Sequence, residues 1–191
     1  MTLEAYLTES AGVIRATLDA VPQTSVDAAV DTIVAALSLG KPLLVCGNGG
    51  SAADAIHLTG ELAGRFLRER QALKAYCLSA NPSVLTACAN DAGFETVFSR
   101  QVEAYGEEGA VLIGISTSGT SPNVVAAFRQ ARSMKMRTVA LTGEGGAALA
   151  PLADHLLAVP SRRTPLIQQA HLCLYHYLCM RIEECMMEAQ P

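Results

Sequence analysis

His57 and Glu61 stand four residues apart in a stretch of helical pattern, and Gln168, His171 and His176 punctuate another near the end of the chain. Residues at i and i+4 share one helix face, so an imidazole and a carboxylate point the same way there. Two histidines, a glutamate and an amide make a donor set suited to a zinc-like cation. The same groups could also move protons, glutamate as a base and histidine as an acid or base. Spacing limits how they can meet. Gln168 and His176 are separated by about 12 Å along a helix rising 1.5 Å per residue, whereas donors on one tetrahedral metal lie within about 4 Å of one another. The spacing therefore predicts that a neighbouring subunit completes the site. His171, on the same helix, reads as a packing residue.

Two loops have the chemistry to hold the rest of a ligand. Gly47-Asn48-Gly49-Gly50-Ser51 follows a short apolar run and precedes a helical one. Its glycines permit close backbone approach, and Ser51 is a plausible helix cap. The spacing matches neither a dinucleotide fingerprint nor a nucleotide triphosphate loop, which needs Gly-Lys-Ser/Thr. The second loop, Ser116-Thr117-Ser118-Gly119-Thr120-Ser121, gathers five hydroxyls and a glycine ahead of Pro122, a good first residue for a helix. Free N–H groups and the helix dipole favour an anion there. With no Lys or Arg in the loop, a single phosphate monoester is the expected anion.

These residues need a frame that gathers them. Apolar runs at Leu43–Cys46, Ala75–Leu78, Ala110–Ile115, Thr138–Thr142 and His155–Val159 read as strands buried on both faces. Helical stretches at Ser51–Arg65, Pro82–Ala89, Glu95–Tyr105, Pro122–Ser133 and Ala147–Leu152 alternate with them. That order predicts an open parallel sheet of about five strands with helices on both sides. Ligands then bind beyond the C-terminal strand ends, where both loops fall. Helices at Thr2–Ala20 and Val26–Leu39 come first, and a long one from Pro165 to Met187 comes last.

Composition excludes several function classes. Of the 191 residues 17% are charged, and the net charge of −4 includes no basic block, so no nucleic-acid footprint is present. No apolar stretch is long enough for a bilayer, and the acidic start lacks the basic region of a secretory leader. Six cysteines without a Cys-x-x-Cys pair read as reduced thiols, and the expected location is cytoplasmic. Few charges and abundant alanine point to apolar surface hidden in an oligomer.

Taken together, Gly47-Asn48-Gly49-Gly50-Ser51-Ala52-Ala53-Asp54-Ala55 with His57 and Glu61, Ala89-Asn90-Asp91, Ser99-Arg100-Gln101-Val102, Gly114 through Gly119 with Ser121-Pro122-Asn123, and Thr164-Pro165-Leu166-Ile167-Gln168 with His176 resemble the phosphoheptose isomerases of the sugar isomerase (SIS) domain superfamily. The resemblance spans essentially the whole chain. It implies a flavodoxin-like three-layer αβα sandwich over residues 1–191, with 1–40 as an N-terminal helical extension. It further implies conversion of D-sedoheptulose 7-phosphate to D-glycero-D-manno-heptose 7-phosphate for bacterial heptose biosynthesis, in a homotetramer with active sites at subunit interfaces.

Carried over by position, Asn48, Gly49, Gly50, Ser51, Glu61, Asn90, Asp91, Ser116, Thr117, Ser118, Ser121 and Gln168 contact the phosphorylated seven-carbon sugar. His57, Glu61, Gln168 and His176 hold one zinc ion per subunit, and Glu61 and His176 are the catalytic pair. A carboxylate tied to a cation is a weaker base, so the sequence leaves open whether Glu61 ligates, abstracts a proton, or both. Two other readings carry the same loops. One is a non-catalytic sugar-phosphate-binding or replication-initiator-associating relative, the other an isomerase for a different phosphosugar.

Overall fold

The computed structural model describes residues 1–188. Two helices, α1 (Leu3–Ala20) and α2 (Gln23–Ser38), lead into an alternation of β1 (Leu43–Gly47), α3 (Gly50–Ala63), β2 (Ala75–Cys77), α4 (Pro82–Ala92), α5 (Ser99–Tyr105), β3 (Val111–Ser116), α6 (Pro122–Ser133), β4 (Arg137–Thr142), β5 (His155–Ala158) and α7 (Thr164–Glu188). All strand pairings are parallel, in the order β2-β1-β3-β4-β5. The three-layer sandwich expected from the buried strand runs is therefore the fold. No helix among the described residues is long and apolar enough to cross a membrane.

Alternation along the strands builds two cores. Leu43 and Val45 of β1 face one side, with Ile113, Leu141 and the apolar faces of α2, α3 and α7. Leu44 and Cys46 face the other, with Leu112, Ala140 and α6. Every residue of β1 and β3 is buried, which is why neither strand shows polar alternation. Strand ends differ from expectation by a residue at most. The expected helix Glu95–Tyr105 is instead a 3-10 turn at Phe94–Thr96 followed by α5. There Thr96 and Ser99 bond back to the carbonyls of Gly93 and Thr96, an alternative to continuous helix. Only a 3-10 turn, Ala150–Leu152, forms where a helix was expected from Ala147.

The leucines of α1 point outward. Leu3 is 74% and Leu18 72% exposed, while Ser10 and Thr17 are the buried positions of this helix. Both hydroxyls bond to carbonyls of their own helix one turn back, so burial leaves them satisfied.

Candidate active site

β1 and β3 are neighbours, and the chain leaves them in opposite directions: α3 packs on one face of the sheet and α6 on the other. The crevice at that divergence is where an open α/β sheet receives ligands. Both polar loops line it. Gly49 takes φ +56° at the helix start, a left-handed conformation that favours glycine. The two loops are tied by a reciprocal amide pair. Asn48 Nδ2 donates to Asn123 Oδ1 at 2.8 Å, and Asn123 Nδ2 donates back to Asn48 Oδ1 at 2.9 Å. Asn123 is buried and also accepts from the N–H of Val124, so the pair is held from the α6 side.

Ser51 does not cap α3. Gly49 occupies the cap position, and Ser51 is buried inside the first turn, its N–H bonded to the Asn48 carbonyl. In the serine loop, the buried Ser116 hydroxyl meets that of Ser121 at 2.9 Å, while Ser118 Oγ accepts from Thr120 N–H at 3.2 Å. Ser121 makes no capping hydrogen bond to α6. Thr117 is half-buried beside these hydroxyls. The loop is a dense set of neutral donors with no side-chain cation, suited to a phosphate monoester.

The acid–base residues converge on a helix pair. α3 and α7 run in parallel, and their contacts advance in step: His57 meets Tyr175, Leu58 meets Cys179, and Phe66 just beyond α3 meets Glu183, at sequence separations of 117 to 121. At the start of the pair, the amide of Gln168 lies so close over Gly50 that a Cβ there would collide with it. Two turns on, donor atoms of His57, Glu61 and His176 lie within 4.8 Å of one another. His57 Nε2 sits 3.1 Å from Glu61 Oε1, and the His57 and His176 ring centroids are 5.0 Å apart. Gln168 thus contacts α3 at Gly50, seven residues before His57.

The donor set fits a zinc-like ion. Nε2 of His176 is buried without a hydrogen-bond partner beside a carboxylate and a second imidazole. The spread is somewhat wider than the roughly 3.4 Å between donors on a tetrahedral metal with bonds near 2.1 Å, so modest side-chain rotation would close it. The cluster is open on one side, with the His57 side chain 46% and that of Glu61 24% exposed.

Four groups around this cluster were not singled out from the sequence as site residues. Tyr175 is buried with its hydroxyl 3.0 Å from His57 Nδ1. Asp54, one turn before His57, lies beside that hydroxyl; burial pushes its carboxyl up to about 6 against the opposing influence of Tyr175 and His57. Phe66 packs its ring 5.6 Å from that of His176. Arg70 fixes the backbone here: its guanidinium donates to the carbonyls of Glu61, Leu62 and Gly64 at the end of α3. Each contact joins segments distant in sequence or outside any motif, so no local pattern announces it.

His171 is fully buried and its Nε2 lies 3.0 Å from the Thr142 carbonyl, which anchors α7 to the end of β4; burial lowers its pKa to about 4 and keeps it neutral. Asn90 and Asp91 are not brought to the loops. They lie in the last turn of α4, exposed and bonded to each other at 2.8 Å. Asp91 lines a surface hollow with Arg100 and Gln130. Gln130 is roughly 13 Å along α6 from the serine loop.

The chain matches the SIS domain family over residues 5–143. It is 53% identical over 148 residues to a phosphoheptose isomerase of Campylobacter jejuni, covering 78% of this chain and 80% of the relative. A Bradyrhizobium phosphoheptose isomerase is 47% identical over 178 residues, 93% of this chain and 90% of that one. The solved phosphoheptose isomerase of Francisella tularensis superposes with a TM-score of 0.91 at 36% identity, over 96% of this chain and all of that one. With the paired loops and the His57–Glu61–His176 cluster in the same frame, the chain belongs to the SIS domain family and, within it, to the phosphoheptose isomerases.

Proposed function

We infer that the protein is an aldose–ketose isomerase converting D-sedoheptulose 7-phosphate to D-glycero-D-manno-heptose 7-phosphate in bacterial heptose biosynthesis. The observation that carries the mechanism is the parallel α3–α7 pair. It sets a carboxylate and two imidazoles at one level and begins beside an anion-binding loop. The serine loop, through Ser116, Thr117, Ser118 and Ser121, takes the phosphate. Asn48, Gly49 and Gly50 line the sugar. Ser51, buried in the first turn of α3, supports that loop from beneath. Glu61 removes a proton from C1 of the ketose to give an enediol(ate) and returns it to C2. His176 passes the hydroxyl proton from O1 to O2, which leaves the aldehyde at C1. The carbon-bound and oxygen-bound protons each move by one atom, so no external reductant is needed. One zinc ion per subunit, held by His57, Glu61 and His176, would polarise the carbonyl as a Lewis acid.

We further propose that the enzyme works in the cytoplasm as a homotetramer whose sites are completed across subunit interfaces. The outward leucines of α1, with Ile56 and Leu172 exposed on the α3–α7 face, support a covered surface. Gln168, which meets α3 at Gly50, and the Asn90–Asp91 pair are the groups a neighbouring copy would contribute. The unpaired state of all six cysteines agrees with a reducing compartment.

The test is turnover of sedoheptulose 7-phosphate by protein stripped with a chelator, before and after zinc is returned. Loss and recovery of activity support the full reading. Activity that survives stripping removes zinc from the chemistry and leaves Glu61 and His176 as the pair. Sugar-phosphate binding without turnover under any condition would mean a binding module instead of an enzyme.

A further inference from the structure

The His57 ring has two nitrogens with different neighbours. Nε2 faces Glu61 and His176, while Nδ1 faces the Tyr175 hydroxyl at 3.0 Å. A ring that offers the Nε2 lone pair to a metal must carry its proton on Nδ1, and that proton needs an acceptor. Tyr175 oxygen is placed to accept it. The phenol must then turn its own proton elsewhere, and the Asp54 carboxylate lies beside it with Oδ2 buried and lacking any hydrogen-bond partner. Tyr175 is held on both sides by packing: it is buried on α7, and its ring meets His57 and His176 edge-on at 5.6 and 5.0 Å.

We propose that Tyr175, backed by Asp54, is a positioning residue that holds His57 as the Nδ1–H tautomer with Nε2 directed at the metal-binding cluster. The chain runs His57 Nδ1–H to Tyr175 oxygen, then Tyr175 O–H to the Asp54 carboxylate. It gives the orphaned Asp54 oxygen a donor and fixes the ring plane at once. This inference rests on the zinc reading above.

The experiment compares the unaltered protein with Tyr175→Phe and Asp54→Asn. Zinc affinity is measured by competition with a chromogenic chelator, and the ring 15N shifts of zinc-loaded protein are recorded. Phenylalanine fills the same space, so thermal stability of the metal-free protein should hold. Its zinc affinity should fall about 10- to 100-fold, the usual effect of losing a partner behind a metal ligand. The amide oxygen introduced by Asp54→Asn can still accept from the phenol, so that variant should lose less. In the unaltered protein the His57 shifts should report a protonated Nδ1. If the unaltered protein binds no zinc, the zinc reading fails and the relay with it. If it binds zinc and Tyr175→Phe stays within threefold, or His57 binds through Nδ1, the relay alone is overturned.

Discussion

Replacing Glu183 by alanine removes the group that holds the segment beyond α3 in place. Its Oε1 accepts from Phe66 N–H at 3.0 Å, and its Oε2 accepts from Leu67 and Arg68 at 2.9 and 3.0 Å. Arg70 Nε lies 3.2 Å from Oε1, and the two side chains are only 1% and 2% exposed. Removing one member of a buried ion pair strands the other, at a cost of about 3–5 kcal/mol. Leu67 and Arg68 are exposed residues whose N–H groups can turn to water, so the lower half of that range is expected. For a chain of this length, 1 kcal/mol moves Tm by about 2–4 °C, so a drop of roughly 10 °C follows. Thermal melts should be run at one protomer concentration, because an assembly's stability depends on it. Burial alone would raise the Glu183 pKa, but the three N–H donors and the guanidinium outweigh it and hold it below the usual 4.5. A depressed carboxylate stabilises the fold above its unfolded pKa and loses that contribution as pH falls through the folded value. The deficit of Glu183→Ala should therefore shrink under acid. A single variant within about 1 kcal/mol of the parent would refute the reasoning.

Gly50→Ala opposes two effects. Helix propensity alone would stabilise α3 by up to about 1 kcal/mol. The new methyl, however, strikes the Gln168 amide, so the Michaelis constant should rise about tenfold or more, equivalent to about 1.4 kcal/mol; an unchanged constant would remove Gln168 from the site. His171 carries a pH signature. Its pKa is lowered to about 4 by burial, so its contribution is complete above the unfolded value of 6.5 and is lost as pH falls toward 4. The loss amounts to about 3 kcal/mol over that window. His171→Gln should flatten the slope of Tm against pH there, and parallel slopes would show that another group governs acid stability.

The strands, their parallel arrangement and the placement of the loops were readable because all three follow from short-range signals. Unbroken apolar runs mark doubly buried strands, and hydroxyl- or glycine-rich segments after them fall at the sheet's C-terminal edge. The His57–Glu61 pair was readable from helical spacing, and His176 joined it through the parallel packing of two helices. Tyr175 and Glu183 look like ordinary members of an amphipathic helix until α3 lies against them. Their partners are more than a hundred residues away, and burial gives them their roles. On α1, Leu3, Leu7 and Leu18 are exposed while Val13 packs inward and Ser10 and Thr17 are buried, so apolar residues alone do not mark the covered face. Sequence periodicity identifies a face without saying which side the rest of the chain will cover.

The in-step advance of α3 and α7 restricts how this enzyme can tolerate insertions and deletions. Deleting one residue between Gln168 and His176 would turn everything downstream by about 100° and draw it back about 1.5 Å. His176 would leave Glu61 while the anion loop stayed intact. On the proposed reading, the separation between the phosphate end and the proton-transfer end is thus encoded in a residue count along rigid helix, where a loop would have allowed slack. Adapting the site to a shorter or longer sugar has to come from side chains that fill or clear the interval, with the helix lengths left alone.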